Sequence, residues 1–447
     1  MSRSPHPARS AGGRLGGVAP VAEIDAMGGA SVVRLLRRND PGGLGIPVVA
    51  SNDVGLAEGS EQPARPAFLE LFFDLVYVLA LIALTRKLAD DITWPVAGQT
   101  LILFLAFSLI WALTAWTADT FDVNRPLVQA QVIAVMFASL VMAAAVPKAY
   151  GRHGLLFVVA YLSVQLGSSV YYLLVLRRPT LRTRSRRILF WVCVSTPAWV
   201  AGAFVTDGTR EILWAVAIGA EYLAATLGWP VPGIGRSHSG EWRLVGERVS
   251  ERYRQFVIIA LGVSIFLIGS AFSAGGFTAN RIGAFVIVFV TVVLMWRIYI
   301  YRAGELLTKA IAAAPDPSRL IQFAAVTHLI MVTGVMVTAV TSELVIARPR
   351  GDTPPSWVAV ILGGPALFLL GRGLLDYTVF SRVSWSRMVG LFLLGLVVPA
   401  TGLVPPLVVA LLAMAVLFLI ATSNLLTTQL RTFPPRPPTN PPPAGMR

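Results

Sequence analysis

From residue 68 to residue 425 the chain alternates long apolar blocks with short polar connectors. A helix needs roughly 20 apolar residues to cross about 30 Å of hydrocarbon, and a dozen blocks approach that length. They lie near 68–88, 97–117, 127–146, 154–176, 187–205, 210–229, 253–274, 282–301, 320–346, 356–376, 387–402 and 405–425. The pattern predicts an all-α fold, a polytopic transmembrane helix bundle of about 12 spans within residues 63–428. The eleventh block is short and holds Pro399, so it is the block expected to be re-entrant or not a span of its own. Residues 1–62 carry no apolar run of spanning length and read as a disordered tail, with Met27 as an alternative start. Residues 429–447 are Pro-rich and read as a second disordered, extended tail.

The blocks also show a faint internal echo. Arg125-Pro-Leu-Val-Gln129 opens the third and Arg319-Leu-Ile-Gln322 the ninth, while Gln165-Leu-Gly167 and Leu369-Leu-Gly371 occupy similar places in the fourth and tenth. Glu70 and Glu251 precede the first and seventh. Two six-helix halves in parallel would account for this, as in some transporters. Chance likeness between low-complexity apolar segments would account for it equally.

Composition agrees with lipid as the solvent. Hydrophobic residues make up 55% and charged residues 13% of the chain, with mean hydropathy +0.69. Soluble domains carry about 25% charged residues. The formal charge of +14 is almost wholly arginine, since lysine occurs only at 87, 148 and 309. These cations sit between apolar blocks rather than on a face with interleaved aromatics, which argues against nucleic acid and for anionic headgroups. With the N-terminus inside, the only Lys or Arg left in outside connectors are Arg86, Lys87, Lys148, Arg152, Arg210, Arg281, Arg348 and Arg350. The remaining connector cations fall inside, so both termini are expected to be cytoplasmic. Cys193, the single cysteine, excludes an intrachain disulfide and reads as a small buried hydrophobe.

Polar residues inside the blocks carry the functional information, because a charge at the bilayer centre costs about 2.5–3.5 kcal/mol or more. Glu70 and Asp74 are four apart in the first block, so both carboxylates leave one helix face. They form a proton or cation site, or a pair neutralised by an arginine from another helix, for which Arg297 and Arg372 are the natural partners, or Glu70 simply reaches the cytoplasmic interface. Arg372 sits between Gly371 and Gly373, where another helix can approach, and Asp376 one turn on can pair with it. Arg297 follows Trp296 near a block end and can snorkel instead. His328 reads as a hydrogen-bonded packing residue or a relay. Glu221 and Glu343 have weaker context, and Glu343 reads as solvated. The connector Glu241–Arg254 is an interfacial helix or a solvated loop. Phosphate-loop, dinucleotide-binding, zinc-protease and serine-hydrolase motifs are absent, and His6, His153, His238 and His328 lack metal-ligand spacing.

Glu70-Leu-Phe-Phe-Asp-Leu-Val-Tyr77 resembles the first-helix signature of the bacterial low temperature requirement protein A (LtrA) family, close to E-L-F-F-D-L-V-F. The likeness runs over roughly residues 65–425, through Phe121-Asp-Val-Asn-Arg125, Ala145-Val-Pro-Lys-Ala-Tyr150, Glu251-Arg-Tyr253, Ile258-Ile-Ala-Leu-Gly262 and His328. Three ionisable positions depart from the family pattern. Val263 stands where relatives carry a glutamate, and Arg248 and Arg372 stand where they carry histidines. The resemblance implies a multi-pass inner-membrane protein and supplies no substrate.

The expected function is transport or permeation of an ion or small solute past Glu70 and Asp74, with His328, Arg372 and Arg297 lining or closing the route. The alternative is a non-transporting protein that senses or stabilises the bilayer and uses these charges as structural ion pairs. No enzymatic activity, cofactor or metal is expected. The expected partners are membrane lipids, at the cytoplasmic arginine loops, and a small solute or ion, without nucleic acid.

Overall fold

The computed structural model describes residues 68–429, apart from 123, 176–178, 207, 238–245, 301–302, 315 and 381–383. The predicted N-terminal tail and the chain from residue 430 on lie outside the described residues. Within them the chain forms helices α1 (Phe68–Asp90), α2 (Trp94–Thr120), α3 (Pro126–Ala145), α4 (Gly154–Val175), α5 (Pro179–Phe204), α6 (Thr209–Thr226) and α7 (Gly246–Ser273). There follow α8 (Ala279–Ile300), α9 (Ala303–Ala313), α10 (Pro317–Ala347), α11 (Pro355–Phe380), α12 (Trp385–Val397) and α13 (Pro406–Gln429). Proline opens α3, α5, α10, α11 and α13, where its missing N–H is one that a first turn leaves unpaired anyway. Pro399 ends α12: the chain tightens into a 3-10 stretch, Val398–Leu403, instead of continuing the α-ladder.

Among the described residues ten helices are long and apolar enough to cross a membrane, against the dozen spans expected. The two long helices outside that set are α1 and α6, which carry Glu70, Asp74, Arg86 and Lys87, and Arg210, Glu211 and Glu221. Both are nonetheless part of the bundle, since Phe73, Tyr77, Leu81, Leu84, Trp214 and Ile218 belong to its core.

Large apolar side chains lie on the surface as well as in the core, and several charged groups of the helices turn inward. On α1, Leu71, Phe72, Leu75 and Leu79 form an outward stripe, each more than 40% exposed, while Asp74 and Tyr77 turn inward. A water-soluble protein would not leave such a stripe uncovered; acyl chains cover it at no cost. The same inversion corrects the expectation for Cys193, which is exposed on α5. Apolar character marks both faces of a lipid-embedded helix, so it does not identify the buried one.

The connectors are more helical than expected. Residues 179–187 of the basic stretch are the first turns of α5, and residues 246–254 are the first turns of α7 rather than an interfacial helix or loop. Residues 241–245 lie outside the described set. The connector before the tenth helix contains α9, whose Leu307 and Ile311 are buried and whose Thr308 hydroxyl meets Ser250 on α7 at 2.9 Å.

The internal echo has a structural counterpart. In the first half α1 packs on α2 and α3, α3 on α4, α4 on α5, α5 on α6, and α2 on α6. In the second half α7 packs on α8 and α10, α10 on α11, α11 on α12, α12 on α13, and α8 on α13. The two sets match pair for pair once α9 is set aside as an insertion. α11 also packs on α13, a pairing with no equally strong counterpart in the first half. The halves meet where α1 packs on α7 and α10.

The tightest seam joins α10 to α11. A Cβ on Gly334 would run into the backbone of Phe368, and one on Gly371 would lie 2.8 Å from the Thr327 carbonyl oxygen. Glycine beside Arg372 therefore admits the neighbouring helix.

Candidate functional site

Arg252 joins the two halves. Its Nη2 lies 2.7 Å from Glu70 Oε1 on α1 and 2.9 Å from Asp119 Oδ1 near the end of α2, and its Nε also donates to Asp119 Oδ1 at 3.2 Å. The three side chains are 9–11% exposed. The arginine fork can serve two carboxylates at once because its donors are fixed in a plane. Thus the cation on Glu70 comes from the start of α7, from the Glu251-Arg-Tyr253 segment.

Asp74 lies one turn deeper on the same face of α1. It is buried, and its Oδ1 accepts from Trp111 Nε1 at 3.2 Å on α2. Glu70 and Asp74 thus share a face, as the spacing predicted, yet the ion pair falls to Glu70 and a neutral indole to Asp74.

Tyr253, next to Arg252, stacks on His328 with ring centroids 4.7 Å apart. His328 Nδ1 lies 2.6 Å from the Ala324 carbonyl oxygen. That oxygen only accepts, so Nδ1 carries the hydrogen and Nε2 faces the Tyr299 hydroxyl at 3.2 Å. His328 is held on both sides within the second half.

Arg372 belongs to a different cluster. It pairs with Asp376 one turn on, and Arg387 Nε on α12 lies 3.3 Å from the other oxygen of Asp376. All three are buried. Arg297 sits half-buried in the last turn of α8 beside the exposed Trp296. Glu343, expected to be solvated, is half-buried and 4.0 Å from Arg86 of α1.

A cavity of about 230 Å³ opens beside Arg252 and Asp119. The first half contributes Trp111, Trp116 and Tyr222 to its walls, and the second contributes Tyr253, Phe256 and His328. Arg184 of α5 also lines it, with its guanidinium 4.2 Å from the Trp116 ring centroid. The walls are largely aromatic, and their charged groups are the Arg184 and Arg252 guanidiniums and the Asp119 carboxylate. Arg184 comes from the stretch that the sequence presented as a cytoplasmic loop.

Of the departures from the LtrA pattern, Val263 is buried in the core, so an aliphatic side chain fills the place of the family glutamate. Arg372 replaces the histidine with a permanent cation held by Asp376.

Comparison with known proteins agrees with this architecture. The family model described as bacterial low temperature requirement A protein matches residues 65–422. An uncharacterized protein of Rhizobium meliloti (strain 1021) is 33% identical over 340 residues, covering 75% of this chain and 83% of the relative. No solved structure matches the chain. With the first-helix signature, the helical bundle and a family match spanning nearly all described residues in agreement, the chain belongs to the bacterial low temperature requirement A (LtrA) family of multi-pass membrane proteins.

Proposed function

We propose that this protein passes a small solute or ion across the cytoplasmic membrane through the cavity between its two halves. The observation that carries this reading is the cavity's position. It lies between two six-helix halves with similar helix pairings, beside the ion cluster that ties them together. Transporters built from repeats bind at that junction and rock one half against the other. Breaking and remaking the contacts of Arg252 with Glu70 and Asp119 would let the halves separate on one side, with Asp74 the nearest buried carboxylate on α1. Arg372 and His328 are held by partners within the second half. The arginine distribution supports both termini being cytoplasmic, and the exposure of Arg182 and Arg186 at the start of α5 supports contact with anionic headgroups.

The test is flux in proteoliposomes, with a labelled panel of small carboxylates and monovalent cations on one side. Asp74→Asn is expected to reduce uptake of the transported species at least ~10-fold, equivalent to about 1.4 kcal/mol, with equal insertion. Unchanged uptake would remove Asp74 from the pathway.

One observation favours the bilayer-stabilising reading: Glu70, Asp119 and Arg252 satisfy one another without a ligand. If that were their whole role, Glu70→Arg with Arg252→Glu would restore the thermal stability lost in either single variant, and the unmodified protein would move none of the panel.

A further inference from the structure

We infer that Glu221 is a reversible proton-binding site inside the first half, separate from the Arg252 cluster. Its side chain is fully buried on α6, and among the described residues no cation lies within salt-bridge range of it. Four neutral donors surround it instead. Oε1 accepts from Ser195 Oγ at 2.5 Å and Trp199 Nε1 at 3.0 Å, both on α5. Oε2 accepts from the Tyr161 hydroxyl and from Gln165 Nε2 at 3.4 Å, both on α4. A buried carboxylate without a cation carries a desolvation cost that neutral hydrogen bonds offset only in part. Taking up a proton removes that cost.

The hydrogen-bond geometry accommodates both states. With Glu221 ionised, all four donors point at its oxygens. A proton added at Oε1 can be donated to Ser195 Oγ, whose own hydrogen then turns to the Val192 carbonyl oxygen 3.1 Å away. Trp199 still donates to Oε1, and Tyr161 and Gln165 still donate to Oε2. No polar atom loses its partner in either state, which is the requirement for a buried group that titrates.

Polar groups also lead from Glu221 to a water-sized space. Gln165 Nε2 contacts both Glu221 and the Tyr161 hydroxyl, and Gln165 lines a second cavity of about 30 Å³ between α2, α3, α4 and α5. That volume holds about two water molecules. Thr114, Thr117, Ser168, Ser169 and Tyr172 face it. Of other titratable groups, Tyr161 faces Glu221 from α4, and Tyr222 follows it on α6 with its hydroxyl donating to the Leu105 carbonyl of α2. Arg210, at the other end of α6, is occupied by carbonyl oxygens of Gly202, Val205, Ala149 and Gly151.

The experiment is infrared difference spectroscopy of the full chain in lipid nanodiscs across a pH titration. It does not depend on transport. The unsubstituted protein is expected to gain a protonated-carboxyl band on acidification that is missing from Glu221→Gln. Ser195→Ala removes a donor to the anion, and charge-assisted bonds are the stronger ones; its band should remain, with the midpoint raised by about one pH unit. Tyr161→Phe should move it the same way. Identical bands with and without Glu221 would overturn the proposal. Should Glu221→Gln fail to fold, unchanged midpoints in Ser195→Ala and Tyr161→Phe would overturn it equally.

Discussion

Arg252→Ala is expected to lower the stability of the protein by about 3–5 kcal/mol, the usual consequence of leaving buried charges without their counter-ion. Two carboxylates, Glu70 and Asp119, would be stranded in a site where each is about one-tenth exposed. The junction between the halves should open first, because Arg252 lies at the meeting of α1, α2 and α7. Glu70→Gln alone should cost much less, since Asp119 still neutralises the cation. The triple variant Glu70→Gln, Asp119→Asn, Arg252→Leu should recover more than half of the loss, because no charge is left unpaired. Thermal unfolding in detergent, followed by size-exclusion chromatography, reads all three. A stable Arg252→Ala single variant would mean that water reaches both acids and that the cluster does not hold the halves.

Gly334→Leu should be equally damaging for a different reason. α10 and α11 approach until only hydrogen fits between Gly334 and the Phe368 backbone. Backbone cannot move aside as a side-chain tip can, so a leucine forces the helices apart along their whole seam. Overpacking a core by a methylene or two costs about 1–3 kcal/mol, and four added carbons against backbone should exceed that range. The expected outcome is little or no folded protein recoverable from membranes. Gly262→Ala is the control, since a Cβ there meets nothing within 4 Å; it should accumulate normally. Normal yield of Gly334→Leu would show that the α10–α11 seam is looser than drawn.

The fold was legible because apolar length is a direct consequence of bilayer thickness, and each predicted span coincides with a helix or a helix continued by a 3-10 stretch. Span counting was less secure where helices carry function: α1 and α6 hold acids in their interiors, which lowers the apolar signal just where chemistry is placed. The repeat was visible only as Arg-x-x-Gln-like echoes, whereas the matching helix pairings are long-range and leave little trace in low-complexity sequence.

The site was legible in part. The spacing of Glu70 and Asp74 placed them on one inward face, but their partners were misassigned. Arg297 and Arg372 stood out by lying inside apolar blocks. Arg252 looked like one arginine among several in a charged connector, because helices α5 and α7 extend their first turns beyond the apolar segment. The Glu251-Arg-Tyr segment, already noted as family-like, was the available signal: it sets Arg252 on the acids and Tyr253 on His328. Glu221 was underrated because Tyr161, Gln165, Ser195 and Trp199 are individually unremarkable and come from two other helices.

Water access to the cavity between the halves can be measured directly, because Cys193 is the single native cysteine. In a Cys193→Ser background, Ala225→Cys and Leu329→Cys place thiols on cavity walls contributed by the first and second halves, and Ala80→Cys places one in the buried core of α1. A membrane-impermeant maleimide should label both cavity positions in intact proteoliposomes and leave Ala80→Cys unlabelled until the protein is denatured. Ala225→Cys and Leu329→Cys as inert as Ala80→Cys would mean the space between the repeats is closed to water, and a solute route through it would be contradicted.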